Sequence, residues 1–152
     1  MVNLSRFALF AALGDSDLEK RYSTANQLLD AGADVQVTTT EGQNVFHVLF
    51  SQTKHDLPQL VALTGRLIEL GADINTADDR RITPTHELVN LKFTDDDLAE
   101  LSILWFSQPG LDLSVQNVAG LTALELARKL PYRADMVGRM ERGPDSQLLG
   151  QV

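Results

Sequence analysis

Three histidines are the only imidazoles in the chain, and one of them opens the run His86-Glu87-Leu88-Val89-Asn90. On a helix, H-E-x-x-H sets two zinc ligands on one face and leaves the glutamate as a general base. Here Asn90 stands where the second histidine belongs, and an amide is a poor replacement for an imidazole ligand. Asp95-Asp96-Asp97 offers three adjacent carboxylates. It lacks the alternating acidic ligands, central glycine and distant glutamate of a calcium-binding loop. Three carboxylates in a first helical turn are instead favoured by the macrodipole, each by ~0.3–1 kcal/mol. A metal-dependent hydrolase built on His86, Glu87 and Asp95 to Asp97 is therefore a rival reading with a broken ligand set. There is no cysteine, which removes disulfides, thiolate catalysis and thiolate-bound zinc. No dinucleotide glycine motif, Walker loop or nucleophile elbow occurs. The chain is read as having no catalytic residue, no metal ligand and no cofactor.

Composition narrows the partners. The 152 residues are 43% hydrophobic and 22% charged, ordinary for one globular domain or a short repeat array. A formal charge of −8 argues against nucleic acid, whose phosphates need clustered Lys and Arg. An acidic surface suits a basic partner, because complementary fields steer encounter. No apolar run approaches the ~18–20 residues of a membrane span. Arg6 and the apolar run Phe7–Leu13, ending in Ala12-Leu13-Gly14, resemble a short signal peptide. The repeat register below assigns that run to a helix instead. A soluble, cytoplasmic monomer is expected.

The elements that position these residues follow a period. Gly32, Gly71 and Gly110 lie 39 residues apart, and each opens a G-[AL]-D-[VIL] tetrapeptide. Ten residues after each comes Gly42, Arg81 or Gly120, and two further on Asn44, Thr83 or Thr122. Self-similarity of this kind is the mark of stacked repeats. Ser5, Asn44, Thr83 and Thr122 then align as helix N-caps, preceding first helices at about 5–13, 44–52, 83–91 and 122–130. Ser16, His55 and Thr94 mark a second start, with Ser16-x-x-Glu19 as a capping box, Thr94-x-x-Asp97 as a weaker one and Asp56-x-x-Gln59 in the middle copy. Second helices are expected at about 17–31, 56–70 and 95–108, ended by glycine in the left-handed C′ position. At that helix start His55 is expected to be exposed. Trp105, Phe106 and Phe50 read as packing between repeats. Phe93, beside Lys92 and Thr94, either staples the next helix or presents a contact.

The pattern resembles the ankyrin repeat. Gly71-Ala72-Asp73-Ile74-Asn75 matches the G-A-D-V-N half of that consensus, Asp78 its loop aspartate, and Thr83-Pro84-Thr85-His86 its T-P-L-H. Asn44-Val45-Phe46-His47 and Thr122-Ala123-Leu124-Glu125 fill the same slots. The likeness covers about residues 3–130. The period of 39 departs from the usual ~33, with the six extra residues placed before the second helix. That implies longer second helices or a looser turn between helices. Arg81 departs by standing at a loop-glycine position, where positive φ strains a side chain. The resemblance implies an all-α, ankyrin-like α-solenoid of helix-turn-helix-loop units. One domain would cover 1–142, in units of about 3–41, 42–80 and 81–119 with a truncated cap at 120–142. Residues 143–152, opening on Gly143-Pro144, would be a disordered tail. It also implies that His47 and His86 bond the backbone of neighbouring loops.

Such stacks bind partner proteins on a concave face of loop tips and first helices. Carried onto this sequence, the first tip is Thr38, Thr40, Glu41 and Gln43, and the second Ala77, Asp79, Arg80 and Ile82. The third is Gln116, Val118, Ala119 and Leu121, while Ser51, Gln52, Asn90 and Leu91 continue the face onto the helices. The expected function is a non-enzymatic protein-interaction module. The alternative is an immunity- or antitoxin-type inhibitor that occludes a basic enzyme with its acidic surface.

Overall fold

A computed structural model describes the backbone of residues 6–149 and the side chains of residues 7–142. The described residues are helical, without a strand. Four short first helices are α1 (Arg6–Leu13), α3 (Val45–Phe50), α5 (Pro84–Val89) and α7 (Ala123–Arg128). Each is followed by a partner: α2 (Leu18–Asp30), α4 (Leu57–Glu69), α6 (Ala99–Phe106) and α8 (Ala134–Leu149), the last entered through a 3-10 turn at Pro131–Arg133. No helix among the described residues is long and apolar enough to cross a membrane.

Six-residue helices need strong ends, because an isolated short helix does not repay its nucleation. Asn44, Thr83 and Thr122 supply them, each accepting from the backbone N–H of the third helical residue. That residue returns a bond to the cap N–H, through Nδ1 of His47 (3.0 Å), Nδ1 of His86 (3.1 Å) or Oε1 of Glu125 (3.1 Å). These are capping boxes in which histidine twice replaces the usual Glu or Gln. The matching Ser5 lies outside the described residues. For the second helices Asp56 caps as expected, accepting from Gln59 N at 3.2 Å. Ser16 does not: Asp17 is the cap of α2, accepting from Lys20 N at 3.1 Å. Asp15 fixes the entry by accepting from Asp17 N at 2.9 Å.

The first helices pack in chain order, α1 on α3, α3 on α5 and α5 on α7. The second helices form a parallel row, α2 on α4, α4 on α6 and α6 on α8. Between the rows lies one core containing Phe46, Leu49, Phe50, Leu60, Leu63, Leu67, Leu88 and Trp105. Edge contacts of Trp105 with Phe46 (centroids 5.0 Å apart) and Phe50 (5.2 Å) join α6 to α3 there. The apolar run Phe7–Leu13 belongs to α1, with Leu9 and Leu13 buried.

The connections inside the units, residues 14–17, 51–56 and 90–98, differ in length, and the second helices α2, α4 and α6 run 13, 13 and 8 residues. The third connection shortens α6, which begins at Ala99 rather than near 95. Thr94 still caps a turn, accepting from Asp97 N at 3.1 Å. Asp95 is held by Arg133, a fully buried side chain. Arg133 donates Nε to Val89 O (2.8 Å), Nη2 to Leu91 O, and Nη1 to both Phe93 O (2.8 Å) and Asp95 Oδ1 (3.0 Å). The other oxygen of Asp95 accepts from Asp135 N and Met136 N at the start of α8. One arginine thus fixes the whole segment.

Helix ends follow the glycines in two ways. Gly71, at φ 92°, is C′ of α4 in a full Schellman motif, with Gly71 N bonded to Ile68 O and Ala72 N to Leu67 O. Gly110 instead sits past Pro109 in a separate turn closed by Leu111 N to Gln108 O, because α6 stops at Phe106. Arg81, at φ 62°, is the positive-φ non-glycine residue among those described. The last unit differs from the truncated cap expected. Helix α8 continues past Gly143-Pro144 to Leu149, so 143–149 are helical rather than disordered. The missing N–H of Pro144 removes one rung of the ladder and leaves the others. Residues 150–152 lie outside the described residues.

Candidate functional site

The ten-residue loops are built from one set of backbone bonds. Thr39 N bonds Gln43 O, Asp78 N bonds Ile82 O, and Asn117 N bonds Leu121 O, at 2.8, 3.0 and 2.9 Å. Side chains brace each turn from inside. Asp78 Oδ1 accepts from Arg80 N and Ile82 N, and Asn117 Oδ1 from Ala119 N and Leu121 N. Neighbouring tips are tied by Asp79 N to Glu41 O (2.9 Å) and Val118 N to Arg80 O (3.1 Å). Behind them His47 Nε2 reaches Ile82 O at 2.6 Å, and His86 Nε2 reaches Leu121 O at 2.9 Å. Asn44 Nδ2 reaches Asp73 O at 2.7 Å, and Asn75 Nδ2 reaches Gly110 O at 2.8 Å. The loops are therefore a fixed platform rather than free connections.

What this scaffold leaves over is a set of side chains that differ from tip to tip. Thr38, Thr40 and Glu41 are exposed on the first, Ala77, Asp79 and Arg80 on the second, and Gln116, Val118 and Ala119 on the third. Gln43, Ile82 and Leu121 are half-buried at the roots. Val118 is 72% exposed, the most of any large apolar side chain described. On the helices, Ser51 is exposed and Gln52 half-buried, and both bond back to Val48 O at 2.9 Å. Asn90 is exposed. Leu91 is not a surface residue: it is 3% exposed and belongs to the core, because Arg133 holds its carbonyl inward. That placement corrects the expectation for Leu91.

Two residues of the same face escape the sequence reading. Val48 and Glu87 lie 39 apart on α3 and α5, three positions before Ser51 and Asn90, and both are half-buried. Residues three apart share a helix face, so Ser51 and Asn90 already implied them. Burial pushes the Glu87 carboxyl above the usual range; Arg80 pulls it down and Asp78 pushes it further up. Burial also holds His47 below the ordinary imidazole range, against the pull of the Ile82 carbonyl.

The hydrolase residues are not brought together. Both ring nitrogens of His86 are occupied, Nδ1 by Thr83 N and Nε2 by Leu121 O. Asp95 is held by Arg133 and by α8. No group of three or more His, Asp or Glu among the described residues is placed to hold a metal ion. His55 is buried at 8% exposure, not exposed as its position suggested. Its Nδ1 lies 2.8 Å from Tyr22 Oη and 3.2 Å from Nη1 of the buried Arg21. Phe93, half-buried, faces the His55 ring at 6.2 Å. It also lines an open cavity of about 460 Å³ with Asn90, Lys92, Thr94, Asp97 and Tyr132.

No protein-family model matches the chain, and none of the curated proteins matches it. Among solved structures, a functionally unknown protein from Leptotrichia buccalis superposes with a TM-score of 0.80 at 28% identity. The superposition covers 95% of this chain and 77% of that one. The likeness is one of fold.

Proposed function

We propose that the chain is a non-enzymatic, ankyrin-type interaction module of the cytoplasm, binding a partner protein across a concave face. That face comprises the three loop tips and the front of α3 and α5. The observation that carries the reading is the division of labour within the loops. Backbone and inward side chains repeat one hydrogen-bond set at 39-residue spacing. The outward side chains are polar and threonine-rich on one tip, charged on the next, and small and apolar on the third. A rigid scaffold presenting varied loop residues is the usual architecture of a binding surface. An exposed apolar residue such as Val118 is of the kind that anchors a contact.

The test is differential capture. Immobilised wild type, a tip variant (Asp79→Arg with Val118→Asp) and a rear-face variant (Ala62→Arg on α4) are compared against lysate of the native cell, with unfolding curves checked to match. Proteins retained by wild type and the rear-face variant but lost by the tip variant support the reading. Retention by all three, or loss by the rear-face variant alone, overturns it.

A further inference from the structure

Glu87 breaks the repeat in a place where the stack gains nothing by it. Its equivalents at 39-residue spacing, Val48 on α3 and Leu126 on α7, are half-buried apolar side chains. The carboxylate of Glu87 makes no hydrogen bond and no ion pair among the described residues, though it is half-buried. A carboxylate partly withdrawn from water without a partner is costly. Its neighbour Asp78 repeats the problem. Asp78 is 6% exposed, and Oδ1 is taken by the Arg80 and Ile82 N–H groups. Oδ2 is buried with no hydrogen bond, and Arg80 approaches it only at 3.7 Å with its side chain 62% exposed. Arg80 is thus a long, solvent-screened contact of Asp78 alone, and the negative charge of Glu87 has no ion pair among the described residues of the presented face.

We propose that Glu87, with the buried negative charge of Asp78 behind it, receives an arginine side chain of the partner protein. The reading rests on the interaction function above and names the chemistry of its central contact. A guanidinium offers several donors in a rigid plane and can satisfy more than one carboxylate oxygen, which an ammonium does less well. Half-buried Val48 and Leu126 on either side suit the methylene stem that accompanies the charge. The upward displacement of the Glu87 carboxyl is what such a vacancy produces, and an incoming cation reverses it. Asp79 and Glu41, exposed on the tips, have water in place of a partner and are not equivalent.

The probe is methylguanidinium, titrated into the full chain carrying carbon-13 at glutamate and aspartate carboxyls. The expected result is a saturable shift at Glu87 and Asp78. Affinity falls about tenfold in Glu87→Gln, the loss of one charge-assisted contact, and is unchanged in Glu69→Gln, an exposed carboxylate on α4. Methylammonium should bind more weakly at the same carboxyls. Glu87→Leu restores the register, so it should melt no lower than wild type while losing the site. Equal, unsaturable shifts at all carboxylates, or wild-type affinity in Glu87→Gln, would overturn the proposal. Partner capture that depends on the tips but not on Glu87 removes this contact and leaves the interaction function standing. Guanidinium binding at Glu87 with no tip-dependent partner does the reverse.

Discussion

The imidazole of His47 donates from Nε2 to the carbonyl oxygen of Ile82 at 2.6 Å, a residue 35 positions further on in the next loop. Its Nδ1 accepts from Asn44 N at 3.0 Å, so the proton must sit on Nε2. His86 repeats both bonds, to Leu121 O and from Thr83 N. One ring therefore closes the start of a six-residue helix and secures the root of the following loop. Leucine at position 47 leaves the buried cap N–H unpaired and removes one of two bonds to the Ile82 carbonyl, which Asp78 N still holds. His47→Leu should cost ~1–3 kcal/mol for the orphaned N–H, with a smaller loss at the carbonyl. Glutamine can restore the capping box but does not reproduce the ring's span to the loop. In urea unfolding, His47→Gln should recover about half of the loss; equal curves for the two variants would mean that only one of the bonds matters.

The stability of the chain should depend on pH through His55. Burial is the main cause, and the adjacent Arg21 guanidinium the next, of a pKa lowered to about 4 in the folded state. Unfolded, the ring titrates near its ordinary 6.5. Between those values the unfolded chain binds the extra proton, so stability rises with pH across that window. The contribution is complete above pH 6.5, shrinks as pH falls towards 4, and amounts to at most ~3 kcal/mol. His55→Phe lacks the titration. Urea midpoints at pH 7, 5.5 and 4.5 should fall more steeply for wild type than for His55→Phe, and parallel slopes would contradict the burial of a neutral ring.

Two left-handed positions should respond in opposite senses. Gly71 is the C′ residue of α4 at φ 92°, and a Cβ there meets strain whatever the surrounding space. Gly71→Val should cost ~1–2 kcal/mol. Arg81 occupies φ 62° with a side chain already attached, is exposed, and makes no side-chain bond among the described residues. Arg81→Gly relieves that strain and should raise stability by up to ~1 kcal/mol, offset in part by the greater freedom of the unfolded chain. Melting temperatures for the two variants, displaced to either side of wild type, check the assignment.

What the sequence made legible was periodic. Asn44, Thr83 and Thr122 are caps, Gly71 ends its helix, and Trp105 packs between repeats, because each follows from local chemistry recurring at one spacing. What it hid was non-local and confined to one copy. Arg133 reaches back some forty residues to fix 90–98, and Arg21 reaches forward to Lys54 O and His55. Arginine is rarely buried, so neither position announced itself. The misplacement of Leu91 and of the start of α6 follows directly from missing Arg133. Glu87 is hidden for another reason: beside His86 it reads as a catalytic base, although it lies three residues before Asn90 on one helix face.

The indole of Trp105 donates to Thr85 Oγ1 at 3.0 Å, inside the core and between α6 and α5. Trp105 is fully buried, with two phenylalanine edges against it. Thr85→Val keeps the volume but strands the indole N–H, at a cost of ~1–3 kcal/mol. Trp105→Phe removes the donor and leaves a partial cavity, which should cost at least as much. In the double variant no indole remains to be stranded, so the threonine substitution should cost less there than in wild type. The cycle should therefore give a coupling of about 1 kcal/mol or more. Strict additivity in chemical unfolding would mean that the bond contributes nothing, and that Trp105 joins the two rows of helices by packing alone.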